Sequence, residues 1–210
     1  MAYPYSLRET LADASVHFVG VVGGIIACVA LILHVVQTQP VDEIAATSIY
    51  GGVVIFAMIA SAAYHLVPWE RARPVFLRID HASIYLKIAA TYTPLVVLIG
   101  SGFAYVVLAG VWAVALIGAI AKVCFLTADG RGALWLYLAM GWASVLLIWP
   151  MWQSLPGIAT TLVVAGGLLY TIGALIFARD GMRYQNAIWH VFVLSASACF
   201  FGAITVGVSA

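Results

Sequence analysis

Ser61 and His65 stand four residues apart in the run SAAYH, and Asn186 and His190 stand four apart in NAIWH. Residues at i and i+4 share one face of a helix, so each pair can present two polar groups to a common centre. Asp80, with His81 beside it, adds a carboxylate, and His17 adds another imidazole. Two imidazoles and a carboxylate suit a divalent metal that keeps one position open for water. Water held by such an ion becomes acidic enough to act as a nucleophile. A lone histidine is more often a structural hydrogen-bonding residue than a ligand. What favours chemistry here is that several of these residues fall at one depth.

Helices that cross a membrane must do the positioning. Of the 210 residues, 65% are hydrophobic and 8% charged, against about 25% charged in a soluble domain. So few charges cannot cover a water-facing globule, whereas a lipid-facing exterior needs none. A crossing helix takes roughly 20 mostly apolar residues. Seven stretches qualify: about Ala14 to Val36, Ala45 to Val67, Ile79 to Gly100, Gly102 to Phe125, Ala133 to Trp152, Ile158 to Ala178 and Ala187 to Val208. The fold class expected is an all-α seven-helix transmembrane bundle forming a single domain over residues 1–210. The connections are short; only Gly100, Ser101 and Gly102 part the third and fourth spans. No internal repeat is evident.

The net charge of +1 offers no basic face for nucleic acid; membrane lipids are the expected partners. Cys28, Cys124 and Cys199 are far apart, odd in number and set in apolar runs. They suggest neither a disulfide framework nor a thiolate metal site, and are expected as small buried residues. The polar N-terminus, MAYPYSLRETLADAS, lacks the basic-then-apolar plan of a signal peptide.

Arg8, then Arg71, Arg73 and Arg78, then Lys122 and Arg131, then Arg179 and Arg183 flank alternate ends of the spans. The other loops hold no Lys or Arg, and every basic residue but Lys87 falls on one side. Because cytoplasmic loops are enriched in these residues, the N-terminus is expected inside and the C-terminus outside. Trp69, Trp149, Trp152, Tyr3, Tyr5 and Tyr184 fall near the expected interfaces, where amphipathic rings are favoured. On this topology His65 ends the second span, Asp80 opens the third, and His17 and His190 lie about one turn into the first and seventh. At 1.5 Å per residue they all fall within roughly two turns of the cytoplasmic boundary. His34 lies at the opposite end.

With these residues in place, the chain resembles the hemolysin III family, a bacterial branch related to the progestin and adipoQ receptors and distantly to alkaline ceramidases. Four segments carry the resemblance, from about Glu9 to the C-terminus: Glu9, Asp13, His17 and Gly20 at regular spacing, with Asp13 where the family usually has Asn; Ser61 to His65; RIDHASIYLKIAATYTP, Arg78 to Pro94; and NAIWHVFV, Asn186 to Val193. The resemblance implies a seven-helix bundle in the bacterial plasma membrane with a zinc site near its cytoplasmic end. In the receptor branch three histidines bind zinc and an aspartate acts through water. Carried across, the metal residues are His65, His190 and Asp80, with Asn186 standing where the family has His. Asp80 and Ser61 are the candidate catalytic residues.

Lys87 occupies a position usually apolar in the family. It lies seven residues after Asp80, so nearly on the same helix face and about 10 Å further into the membrane. It is expected either to snorkel toward cytoplasmic water or to offset the charge of Asp80. Three functions are open: a metal-dependent hydrolase of a lipid amide or ester, with a role in membrane or lipid homeostasis; a non-enzymatic lipid sensor whose polar cluster clasps helices together; and, least supported, a pore-forming cytolysin. The last span lacks the lysine a retinal protein needs. The inverted repeats and broken helices of transporters are not evident.

Overall fold

The computed structural model describes residues 6–125, 131–179 and 181–210, with no side chains for 131–133. Tyr3, Tyr5 and the Arg131 side chain lie outside that description. Among the described residues there are eight helices and no strand: α1 (Leu7–Thr38), α2 (Val41–Leu66), α3 (Arg73–Ile99), α4 (Gly102–Cys124), α5 (Arg131–Trp142), α6 (Val145–Ser154), α7 (Gly157–Phe177) and α8 (Gln185–Val208). Seven spans are long and apolar enough to cross a membrane, and α5 and α6 together supply the fifth, Leu134–Ser154.

That fifth span is expected to be continuous, and it is not. At Ala143 and Ser144 the backbone tightens to i→i+3 bonds, Ser144 N–H to Gly141 and Leu147 N–H to Ser144. The Tyr92 hydroxyl, from α3, approaches the Met140 and Gly141 carbonyls at 2.8 Å each. A broken helix is tolerated at membrane depth when neighbours and tightened backbone bonds satisfy its carbonyls; here Ala143 and Ser144 N–H serve Met140 and Gly141, and the single Tyr92 proton is shared between the same two carbonyls.

Two helices begin nearly two turns before their apolar runs. The first starts at Leu7, where the Ser6 side chain accepts from Glu9 N–H and the Glu9 carboxylate accepts from Ser6 N–H. This reciprocal cap satisfies two orphan donors and adds about two turns before Ala14. Glu9, Asp13 and His17 therefore lie along one helix face. The third starts at Arg73, with Pro74 in its first turn, so Asp80 sits about two turns into α3 rather than at its start. Gly100, at φ 66°, ends α3 in the left-handed conformation, and the Ser101 side chain caps α4.

Helix α3 is the most buried span, with Ala89, Ala90 and Val96 fully enclosed. The first helix packs on α2 and α8, and α7 on α8. Small residues allow close approach: a Cβ on Gly173 would lie 2.6 Å from Phe192 Cβ, and one on Gly118 would lie 2.6 Å from the Tyr85 ring. Phe18, Ile26, Val106, Ile117, Leu146 and Ile158 are exposed, as a lipid-facing surface requires. Of the cysteines only Cys28 is buried; Cys199 is half-buried and Cys124, in the last turn of α4, is exposed. All three are free thiols.

Candidate metal centre

The site is built where α1, α2, α3 and α8 converge. The side chain at its centre is Asp13, on α1 and only 4% exposed. Asp13 Oδ1 lies 2.6 Å from His190 Nδ1 on α8, and Oδ2 lies 3.3 Å from His65 Nδ1 on α2. An ionised carboxylate can only accept, so His190 Nδ1–H donates to it. One ligand atom from each of Asp13, His65 and His190 falls within 4.8 Å of the others.

His17, one turn beyond Asp13, completes the cluster. Its Nδ1–H donates to the Asp13 carbonyl at 2.9 Å, which leaves Nε2 to accept from the Ser61 hydroxyl at 3.3 Å. The three imidazoles touch one another, with ring centroids 4.2 Å apart for His17 and His190, 4.6 Å for His65 and His190, and 5.2 Å for His17 and His65. Asp80 is buried, interacts with Ser61 and faces His65. Its backbone carbonyl accepts from Ser83 at 2.6 Å. One further contact sets the frame: the Glu9 carboxylate accepts from Tyr184 N–H at 3.0 Å, tying the start of α1 to the start of α8.

The structure brings His65 and His190 together, as their spacing suggests, with Ser61 and Asp80 alongside. Asn186, in the first turn of α8, lines a crevice together with Asp13 and also borders the cavity that His65 and His190 line. The residue that sequence reading did not place in the site is Asp13. The signal for it was present: Ser6-x-x-Glu9 is a capping pattern, and a helix starting there aligns Glu9, Asp13 and His17 at four-residue steps.

His17, Ser61, His65, Asp80 and His190 border one cavity of about 710 Å³, which also reaches Leu95, Leu147, Met151 and Val163; Asp13 lines a small crevice that shares Gln185 and Asn186 with it. That volume lies within the range of about 300–1,000 Å³ typical of small-molecule sites.

Comparison with known proteins agrees with this architecture. A family profile described as Haemolysin-III related matches residues 5–201. The chain belongs to the haemolysin III family. It is 32% identical over 196 residues to a protein named Hemolysin-3 from Bacillus cereus, covering 93% of this chain and 90% of that one. It is 32% identical over 200 residues to the Hemolysin-3 homolog of Bacillus subtilis, covering 94% and 93%. A mammalian relative, the Monocyte to macrophage differentiation factor of Homo sapiens, is 30% identical over 209 residues, covering 96% and 85%. This chain is thus a multi-pass membrane protein of that family, with a buried group able to hold a metal ion.

The donor chemistry fits such an ion. Two imidazoles and a carboxylate form a nitrogen and oxygen set with bonds of about 2.0–2.2 Å to zinc. One such atom from each residue lies within 4.8 Å of the others, close enough that the three could converge on one ion. The aspartate on α1 also supplies a negative charge that Asn186, a neutral amide, does not.

Proposed function

We propose that this protein is a zinc-dependent hydrolase of a lipid amide or ester, working from a site at the cytoplasmic side of the membrane and serving membrane-lipid homeostasis. The observation that carries the reading is the Asp13, His65 and His190 triangle, whose two histidines border the same cavity as Asp80 and Ser61. A divalent ion there would supply Lewis-acid polarisation of a carbonyl or of water.

The chain's own residues divide the remaining work. Asp13, His65 and His190 would hold the ion, each imidazole being placed by its contact to the Asp13 carboxylate. Asp80 takes the proton from the attacking water and returns it to the leaving amine or alcohol as the carbonyl C–N or C–O bond breaks. Ser61, whose hydroxyl lies 3.3 Å from His17, would turn its one proton from that imidazole to the scissile carbonyl. The apolar depth of the cavity takes the acyl chain and keeps bulk water away.

The test pairs metal analysis with turnover. Detergent-purified protein should carry zinc near one per chain and release amine or alcohol from a panel of acyl amides and esters. His65→Ala and His190→Ala should lose both while still eluting as folded protein.

A second reading has its own support. The 2.6 Å contact from Asp13 to His190 and the 3.3 Å contact to His65 bind α1 to α8 and α2 without any ion. A non-enzymatic sensor held by this clasp would lose thermal stability in the same variants, contain no metal and turn over no lipid.

A further inference from the structure

Seven residues beyond Asp80 on α3 lies Lys87, and seven beyond His190 on α8 lies Ser197. Both steps are about 10 Å along their helices, so the cavity has a second polar layer deeper than the first. Lys87 Nζ donates to Ser197 Oγ at 2.8 Å and lies 5.7 Å from the centre of the Tyr170 ring. Its charge acts on Asp80 from a distance, but among the described residues no carboxylate lies at salt-bridge distance from it.

The hydrogen bonding around Ser197 is full. Its hydroxyl donates to the Val193 carbonyl at 2.6 Å, so Tyr170, 3.2 Å away, is the donor to Ser197 Oγ, as is Lys87. A hydroxyl has one proton and two lone pairs, and all three are engaged. The ammonium has three N–H donors, of which one is satisfied. Lys87 borders the cavity, whose wall also carries Val54, Thr91, Leu95, Leu147, Met151 and Val163. An ammonium in apolar surroundings is costly unless an anion pairs with it.

We propose that Lys87, held by Ser197 and Tyr170, is a carboxylate-binding subsite for a single-chain amphiphilic acid whose hydrocarbon tail lies along the apolar depth of the cavity. One ammonium matches one carboxylate in charge. Its two spare donors match the carboxylate's two oxygens. This layer contains none of the residues of the proposed metal centre, so the subsite stands whether or not the protein is a hydrolase.

The probe is dodecanoate, compared with dodecanol, added to the protein in nanodiscs of zwitterionic lipid and corrected for uptake by empty nanodiscs. A charge-assisted hydrogen bond gives a preference for the acid of at least about tenfold. Lys87→Met and Lys87→Gln should abolish that preference with metal content unchanged. Equal affinity for acid and alcohol in the unaltered protein overturns the proposal, and that comparison stands even if neither variant folds. A preference that survives in either folded variant overturns it equally.

Discussion

Asp13 Oδ1 and His190 Nδ1, 177 residues apart in sequence, lie 2.6 Å apart in the bundle. This contact closes the ring of helices by joining the first to the last, and it sets the charge of the site. Asp13→Asn keeps the shape and an accepting oxygen but removes the carboxylate charge. If the triangle holds zinc, zinc affinity should fall at least about tenfold, the scale of loss seen when even an outer-shell partner is removed. Elemental analysis after dialysis against a weak chelator reads this. Retention of full zinc in the variant would remove Asp13 from the ligand set.

Asn186→His tests the complementary change. Position 186 is in the first turn of α8 beside Asp13, so an imidazole there adds a donor on the face that already carries His190. Zinc should then be held more tightly than in the unaltered protein, as a competition titration would show. No gain would mean that side chains at 186 cannot reach the triangle.

The break between α5 and α6 makes its own prediction. Tyr92→Phe removes the hydroxyl that serves the Met140 and Gly141 carbonyls. Hydrogen bonds between membrane helices contribute roughly 0.6 kcal/mol on average and about 1.7 at most, so a loss of roughly 1 kcal/mol is expected. Melting followed by tryptophan fluorescence should show it, with metal content unaffected.

Glycine contacts predict larger effects. A side chain at Gly173 would run into Phe192 Cβ, which is fixed to α8 and cannot swing aside. Gly173→Leu must push α7 from α8 and should lower expression and melting temperature sharply. Gly52, with nothing near its missing Cβ, should accept alanine with little change.

Much of this was legible in the sequence, for physical reasons that differ by element. The spans are apolar because lipid demands it, and the Gly100 to Gly102 link reads as a turn because its first glycine takes a positive φ. His65 and His190 meet because four-residue spacing and a shared depth bring them together. Asp13 was less visible, since it lies before the apolar run and its place depends on a capped extension of α1. The α5–α6 break was hidden because Ala143 and Ser144 carry no breaker signature of their own; the tertiary contact from Tyr92 stabilises it. The pairing of Lys87 with Ser197 depends on the relative placement of α3 and α8, which no local pattern encodes.

Asp80 offers the sharpest division between the two functional readings. It is buried beside Ser61 and faces His65, yet it is not part of the close triangle. Asp80→Asn preserves size but removes both the carboxylate charge and the ability to take a proton. As the general base of a hydrolase, its loss should cut turnover by about 10²–10⁴-fold while zinc stays bound and the melting temperature moves little. As one strut of a clasp, its loss should lower the melting temperature and leave no activity to change. Measuring zinc, melting and turnover on this one variant therefore separates them. A fall in stability with no detectable turnover in the unaltered protein would favour the sensor; an intact, zinc-loaded, inactive variant would assign Asp80 its catalytic role.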